Sequence, residues 1–153
     1  MTAPTLALAL GLTRKEAQWF LDSWFSNNPE IKEWQNRIED ELMLTRTITN
    51  IFGYRRYYFD RVEGLLSEAL AWSPQSTVAL VIDKGWENIV QRVPQVEVLL
   101  QVHDSLVFQY PQHLRGRILP QVEECMAITL PFEDPLIIGT STKYSAESWG
   151  HCG

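Results

Sequence analysis

Two β-rich runs, Val96 to Val102 and Leu106 to Tyr110, are separated only by His103-Asp104-Ser105. So short a spacing leaves room for a tight turn and nothing else, which makes the pair an antiparallel hairpin. Near-continuous apolar residues on both runs imply that the hairpin packs on helices. A carboxylate presented on such a support is a candidate for chemistry, because charges are rarely carried by buried scaffolds without a use. Asp104 therefore heads the candidate residues, with His103 beside it. Each has a structural alternative: an aspartate in a turn often bonds its own backbone, and a turn histidine is often simply satisfied there. A hydrolytic relay compressed into His103, Asp104 and Ser105 is excluded by geometry. Adjacent residues on extended backbone point to opposite faces, whereas nucleophile, base and orienting acid must converge.

Elsewhere helices and hairpins alternate without strict βαβ order, which predicts an α+β fold in one domain over residues 1–153. Thr13-Arg14-Lys15-Glu16 has the form of a capping box, and Ala17, Phe20, Leu21, Trp24 and Phe25 then follow helical period. Asn27-Asn28-Pro29 ends that helix and begins another through Ile31, Trp34, Ile38 and Leu42. Thr45 to Phe59 turns to Thr, Ile, Tyr and Phe around Phe52-Gly53, the chemistry of a second hairpin. Helical period returns over 61–92, through Val62, Leu65, Leu66, Ala69, Val78, Val81, Ile82 and Ile89. There Pro74 predicts a break or sharp kink near Trp72 to Pro74. A helix through Leu114, Ile118, Val122 and Met126 and a last strand from Leu136 to Thr142 complete the expected order.

The formal charge of −6 argues mildly against unaided binding of nucleic acid, yet Arg55-Arg56, with Arg61 nearby, forms a local basic run. Cys125 and Cys152 have no metal-binding or disulfide spacing and are read as reduced thiols. No apolar run reaches the roughly eighteen residues of a membrane span, and Met1 to Leu10 has no basic leader, so the expected location is the cytoplasm.

The hairpin sequence Gln101-Val102-His103-Asp104-Ser105-Leu106-Val107-Phe108 resembles the third palm motif of family A DNA polymerases, the bacterial DNA polymerase I type, usually Gln-Val-His-Asp-Glu followed by Leu-Val-Phe. Four further blocks occur in the family's order. Gly11 to Gln18 is similar to the string after the fingers helix, and Thr49 to Arg56 to the Thr-x-x-Gly-Arg-Arg hairpin. Glu68 to Thr77 looks like the helix carrying a Gln-Gly-Thr or Gln-Ser-Thr element, here in the form of phage-like members. Ser148-Trp149-Gly150 is like the family's terminal Asn-Trp or Ser-Trp.

The resemblance implies palm-type antiparallel hairpins packed on helices, and template-directed DNA synthesis from dNTPs on a primer-template. In such synthesis two Mg²⁺ ions about 3.5–4 Å apart clamp the attacking hydroxyl and the leaving pyrophosphate. It makes Asp104 one of two metal-binding aspartates and puts His103 by the primer terminus. It places Gln75 and Gln101 in the minor groove of the nascent duplex, where acceptors are nearly common to all base pairs. It sets Arg55 and Arg56 on backbone phosphates, their alternative being a solvated pair. There are departures: Ser105 replaces the usual glutamate, Ala71 a frequent asparagine, and Ser67 a frequent arginine. Neither the first palm motif, Asp-x-Ser-Gln-Ile-Glu, nor the fingers helix is represented. The implied reading is half a catalytic site, inactive alone and completed by a companion chain as in a split polymerase. A non-catalytic DNA-binding or interaction module, or an inert fragment, stands as the alternative.

Overall fold

The computed structural model describes residues 2–59 and 64–152. Arg61 and Val62, named above in the basic run and in the helical pattern, lie outside the described residues. The chain divides into two units, Met1–Ile48 with Tyr57–Leu70, and Thr49–Arg56 with Ala71–Gly153.

The first unit opens with helix α1 (Ala3–Leu10), which the sequence reading did not anticipate. Proline in its first turn and Gly11 at φ 65° after its last residue are the signals that mark it. Helix α2 (Arg14–Asn27) starts as expected: the Thr13 hydroxyl accepts from the Glu16 amide at 3.3 Å, and the Glu16 carboxylate accepts from the Thr13 amide at 2.9 Å. Helix α3 (Pro29–Thr45) follows after the single residue Asn28. Asn28 works backwards rather than forwards, its side-chain amide donating to the Trp24 carbonyl at 2.7 Å and closing α2 instead of capping α3. Ala17, Ile38 and Leu42 are buried, whereas Trp19, Phe20 and Trp24 stay substantially exposed along α2. That helix therefore carries more apolar surface than its own unit covers.

Strands β1 (Thr47–Thr49) and β2 (Arg55–Tyr57) form the first hairpin, with Gly53 at φ 86° in its loop. Helix α4 (Leu66–Arg92) then runs through Pro74 without the break that was one of the two expected outcomes there. Proline at 74 removes the amide donor that would serve the Leu70 carbonyl; within the same stretch, Ser76 Oγ and Thr77 Oγ1 both donate to the Ser73 carbonyl, at 3.1 and 2.8 Å.

The core of the second unit is built where α4 meets helix α5 (Arg115–Met126). Ile82 and Ile89 of α4, with Val93 just after its end, cluster with Ile118, Val122, Cys125 and Met126 of α5. The helices approach closely because α4 has no side chain at Gly85, where an added Cβ would collide with the Met126 sulfur. Further along the same faces, Asn88 Nδ2 donates to the Cys125 carbonyl at 3.1 Å and Arg92 pairs with Glu124. Cys125 is a free, buried thiol, and burial pushes its pKa up from the ordinary range. Strands β3 (Glu97–Val102) and β4 (Ser105–Gln109) form the central hairpin, and Val98, Leu106 and Phe108 pack against this cluster. The final β pair is β5 (Thr129–Leu130) with β6 (Leu136–Ile137). The expected strand to Thr142 stops at Ile137, because β5 has two residues and offers no further backbone partners. The architecture is α+β, with small antiparallel hairpins against helices.

The capping box sets a pH dependence. Hydrogen bonds from the Thr13 hydroxyl and amide hold the Glu16 carboxyl below its ordinary value of 4.5. A carboxyl depressed on folding contributes stability that is present above its unfolded pKa and is lost as pH falls through the folded one. Glu16→Gln is expected to flatten the part of the stability curve below pH 4.5 that this group supplies. Denaturation midpoints measured down through that range check it; an unchanged acid limb would remove the assignment.

Candidate nucleic-acid interface

The central hairpin pairs Glu97 with Gln109, Val98 with Phe108, Leu100 with Val107, Gln101 with Leu106 and Val102 with Ser105, leaving Leu99 as a bulge. Regular alternation would return the inner face to Leu100 after Val98. The extra residue shifts the phase, so Gln101 shares the face of Leu106 and Phe108, and Leu100 turns outward at 40% exposure. Gln101 is exposed near the tip on that face, and its Nε2 reaches the His103 carbonyl at 3.5 Å. At the open end of the outer face, Gln109 Nε2 donates to Glu97 at 2.6 Å and fixes the register.

The loop between the paired residues Val102 and Ser105 is His103-Asp104. His103 has φ 53°, in the left-handed region that non-glycine residues seldom adopt. Such strain persists only where the surroundings enforce it, and it collects at functional positions. Asp104 is exposed, and its carboxylate has no hydrogen bond or ion pair among the described residues. It does not bond its own backbone, which was the structural alternative for a turn aspartate. Ser105 is committed instead, Oγ donating to the Val102 carbonyl at 2.8 Å. Among the described residues no three His, Cys, Asp or Glu side chains gather into a metal site. An open carboxylate suits a cation that takes one or two protein carboxylates together with substrate phosphates, so Asp104 fits as one ligand of a shared site.

Arg55 is exposed and Arg56 half-buried on β2, and Gln75 is exposed on α4. All of the candidate residues, Arg55, Arg56, Gln75, Gln101, His103 and Asp104, belong to the second unit. Gln101 and His103 are joined by a direct contact, while Arg55 stands on β2, Gln75 on α4 and Asp104 in the β3–β4 loop. An open groove lined by Leu21, Asp22, Phe25, Lys32 and Glu33 lies in the first unit and contains none of them.

The sequence reading missed Asn50, which is 5% exposed at the end of β1. Its Oδ1 accepts from the amides of Phe52 and Tyr54 at 3.1 and 3.0 Å, and its Nδ2 donates to Ser76 Oγ at 3.1 Å. Asparagine before a glycine-containing loop was the available signal.

The family model described as DNA polymerase family A matches residues 1–151. The chain is 29% identical over 145 residues to the thermostable DNA polymerase I of Thermus filiformis, covering 89% of this chain and 17% of that protein. It is 30% identical over 135 residues to the DNA polymerase I of Helicobacter pylori, covering 82% of this chain and 15% of that protein. The fold is similar to the POL domain of Pol1 from M. smegmatis in complex with DNA primer-template and dNTP, with a TM-score of 0.73 at 24% identity over 82% of this chain and 24% of that one. A chain of palm-type α+β fold whose sequence is matched along nearly its whole length in this way belongs to DNA polymerase family A. It spans about one-sixth of the length of these polymerase relatives.

His103→Gly is expected to stabilise the isolated fold by up to about 1 kcal/mol, since glycine occupies positive φ without the steric cost borne by other residues. Urea unfolding measures it; a destabilised variant would show that the histidine side chain holds the turn.

Proposed function

We propose that these residues form the C-terminal catalytic-palm part of a template-directed DNA polymerase of phage-like type, acting as one functional domain. The reaction is nucleotidyl transfer from a dNTP to a DNA 3′ end, in the cytoplasm of a bacterium or of a phage-infected host. The observation that carries this reading is the uncommitted, exposed Asp104 carboxylate on a strained hairpin tip. Asp104 supplies one metal-binding carboxylate. The first palm aspartate and the nucleotide-gripping fingers helix come from outside these 153 residues, from a companion polypeptide in a split enzyme. When bound there, Mg²⁺ ions stabilise charge on the attacking and leaving oxygens.

The chain's own residues position the duplex. His103, held at φ 53°, presents its ring beside the primer terminus. Gln75 and Gln101 donate to the minor-groove acceptors of the nascent duplex, testing pair geometry without reading sequence. Arg55 and Arg56 hold backbone phosphates, which orients the duplex and makes binding salt-dependent.

A second reading, a non-catalytic DNA-binding module, draws on Ser105. Its hydroxyl is engaged by the Val102 carbonyl where the family usually has a carboxylate. The two readings part on one experiment. Mixed with a polypeptide carrying the missing aspartate and fingers helix, the chain is expected to extend a primed template in magnesium, and Asp104→Ala to abolish extension while DNA binding persists. Extension undiminished by that substitution would remove Asp104 from the mechanism; salt-sensitive binding without extension by the parent mixture would favour the binding module.

A further inference from the structure

The first hairpin is clasped to α4 at two places. Asn50 Nδ2 donates to Ser76 Oγ at 3.1 Å, and Lys84 Nζ lies 5.2 Å from the centroid of the Phe52 ring. Ser76 and Lys84 are about 12 Å apart along a helix that rises about 1.5 Å per residue, so the loop lies along some two turns of α4. Asn50 is the centre of this clasp. One side-chain amide fixes the loop from within, through the Phe52 and Tyr54 amides, and ties it outward to the helix. Arg55 follows Tyr54 directly on β2, and Gln75 precedes Ser76 on α4, about 100° around the helix axis. Burial strengthens the arrangement, because a nearly buried asparagine amide left without partners is costly, which favours the one geometry that satisfies it.

Resting on the polymerase reading, we infer that Asn50 is a positioning residue. It holds the phosphate-contacting arginine hairpin and the groove-contacting Gln75 helix in fixed relation, so that both grip one duplex at once. Asn50 touches no DNA itself. Rigid coupling of two contacts raises affinity by making the second contact intramolecular, with a contribution set by how well the spacing is held. Ser76 is the other half of the device. Its Oγ accepts from Asn50 while donating to the Ser73 carbonyl, which Thr77 Oγ1 also serves. Ser76→Ala therefore opens the clasp without disturbing Asn50's bonds inside the loop or leaving Ser73 without a hydroxyl partner.

The test is equilibrium binding of the full chain to a fluorescent primer-template duplex across a salt series. Variants are Ser76→Ala, Asn50→Ala, Arg55→Ala, Gln75→Ala and the pair Arg55→Ala with Gln75→Ala, each checked for folding by circular dichroism. The parent chain should show coupling, with the paired loss from Arg55 and Gln75 departing from the product of the single losses. Ser76→Ala should weaken binding about five- to tenfold while the variant remains folded at the assay temperature, and in its background the Arg55 and Gln75 losses should become multiplicative. A role confined to stability would not change that coupling. Weakened binding in Arg55→Ala and Gln75→Ala, with full affinity and unchanged coupling in both Ser76→Ala and Asn50→Ala, would overturn this inference and leave the polymerase reading in place. A parent chain that does not bind primed DNA at low salt, or binds it independently of Arg55 and Gln75, would overturn both.

Discussion

Burial of one face of the β3–β4 hairpin on the α4–α5 helix pair is the interaction on which the candidate site depends. Val98, Leu106 and Phe108 rest on a cluster that includes Ile89, Val93, Ile118 and Val122. Those four core side chains are at most 3% exposed, and truncating one of that kind typically costs a few kcal/mol. A hairpin of two strands is marginal in water by itself, so its tip is only as well placed as this packing makes it. The close approach at Gly85 matters for the same reason: it lets the two helices present one continuous floor beneath the strands.

Upon that floor the bulge at Leu99 determines what the tip displays. By shifting phase once, it leaves Val98 inward, turns Leu100 outward and brings Gln101 to the helix-facing side just before the loop. The loop then spans two residues, with the backbone strain at His103 and the free carboxylate at Asp104. A stable support thus carries a locally strained, polar tip.

Much of the framework was legible in the sequence, for identifiable reasons. Thr13 and Glu16 announced a helix start because a capping box is local chemistry, and the central hairpin was marked by two apolar runs too close together for anything but a tight turn. The family followed from motif blocks in order, and the match over residues 1–151 bears it out. What escaped did so for several different reasons. Pro74 pointed to a break or sharp kink, and the helix continues through it without a break. The strand expected through Thr142 ended with its short partner. The bulge could not be read, because Val98-Leu99-Leu100 is apolar at every position and gives no alternation to interrupt. Asn50 was not singled out, since its burial and its bond to Ser76 exist only in the folded chain.

The proposed role of the hairpin tip is tested most directly by locating the divalent cation. With the completing polypeptide and primed DNA present and manganese in place of magnesium, paramagnetic broadening of backbone amide signals reports which residues lie near the ion. The account predicts strong broadening at His103, Asp104 and Ser105 that disappears in Asp104→Asn. Broadening that spares the tip, or that survives the substitution unchanged, would contradict it.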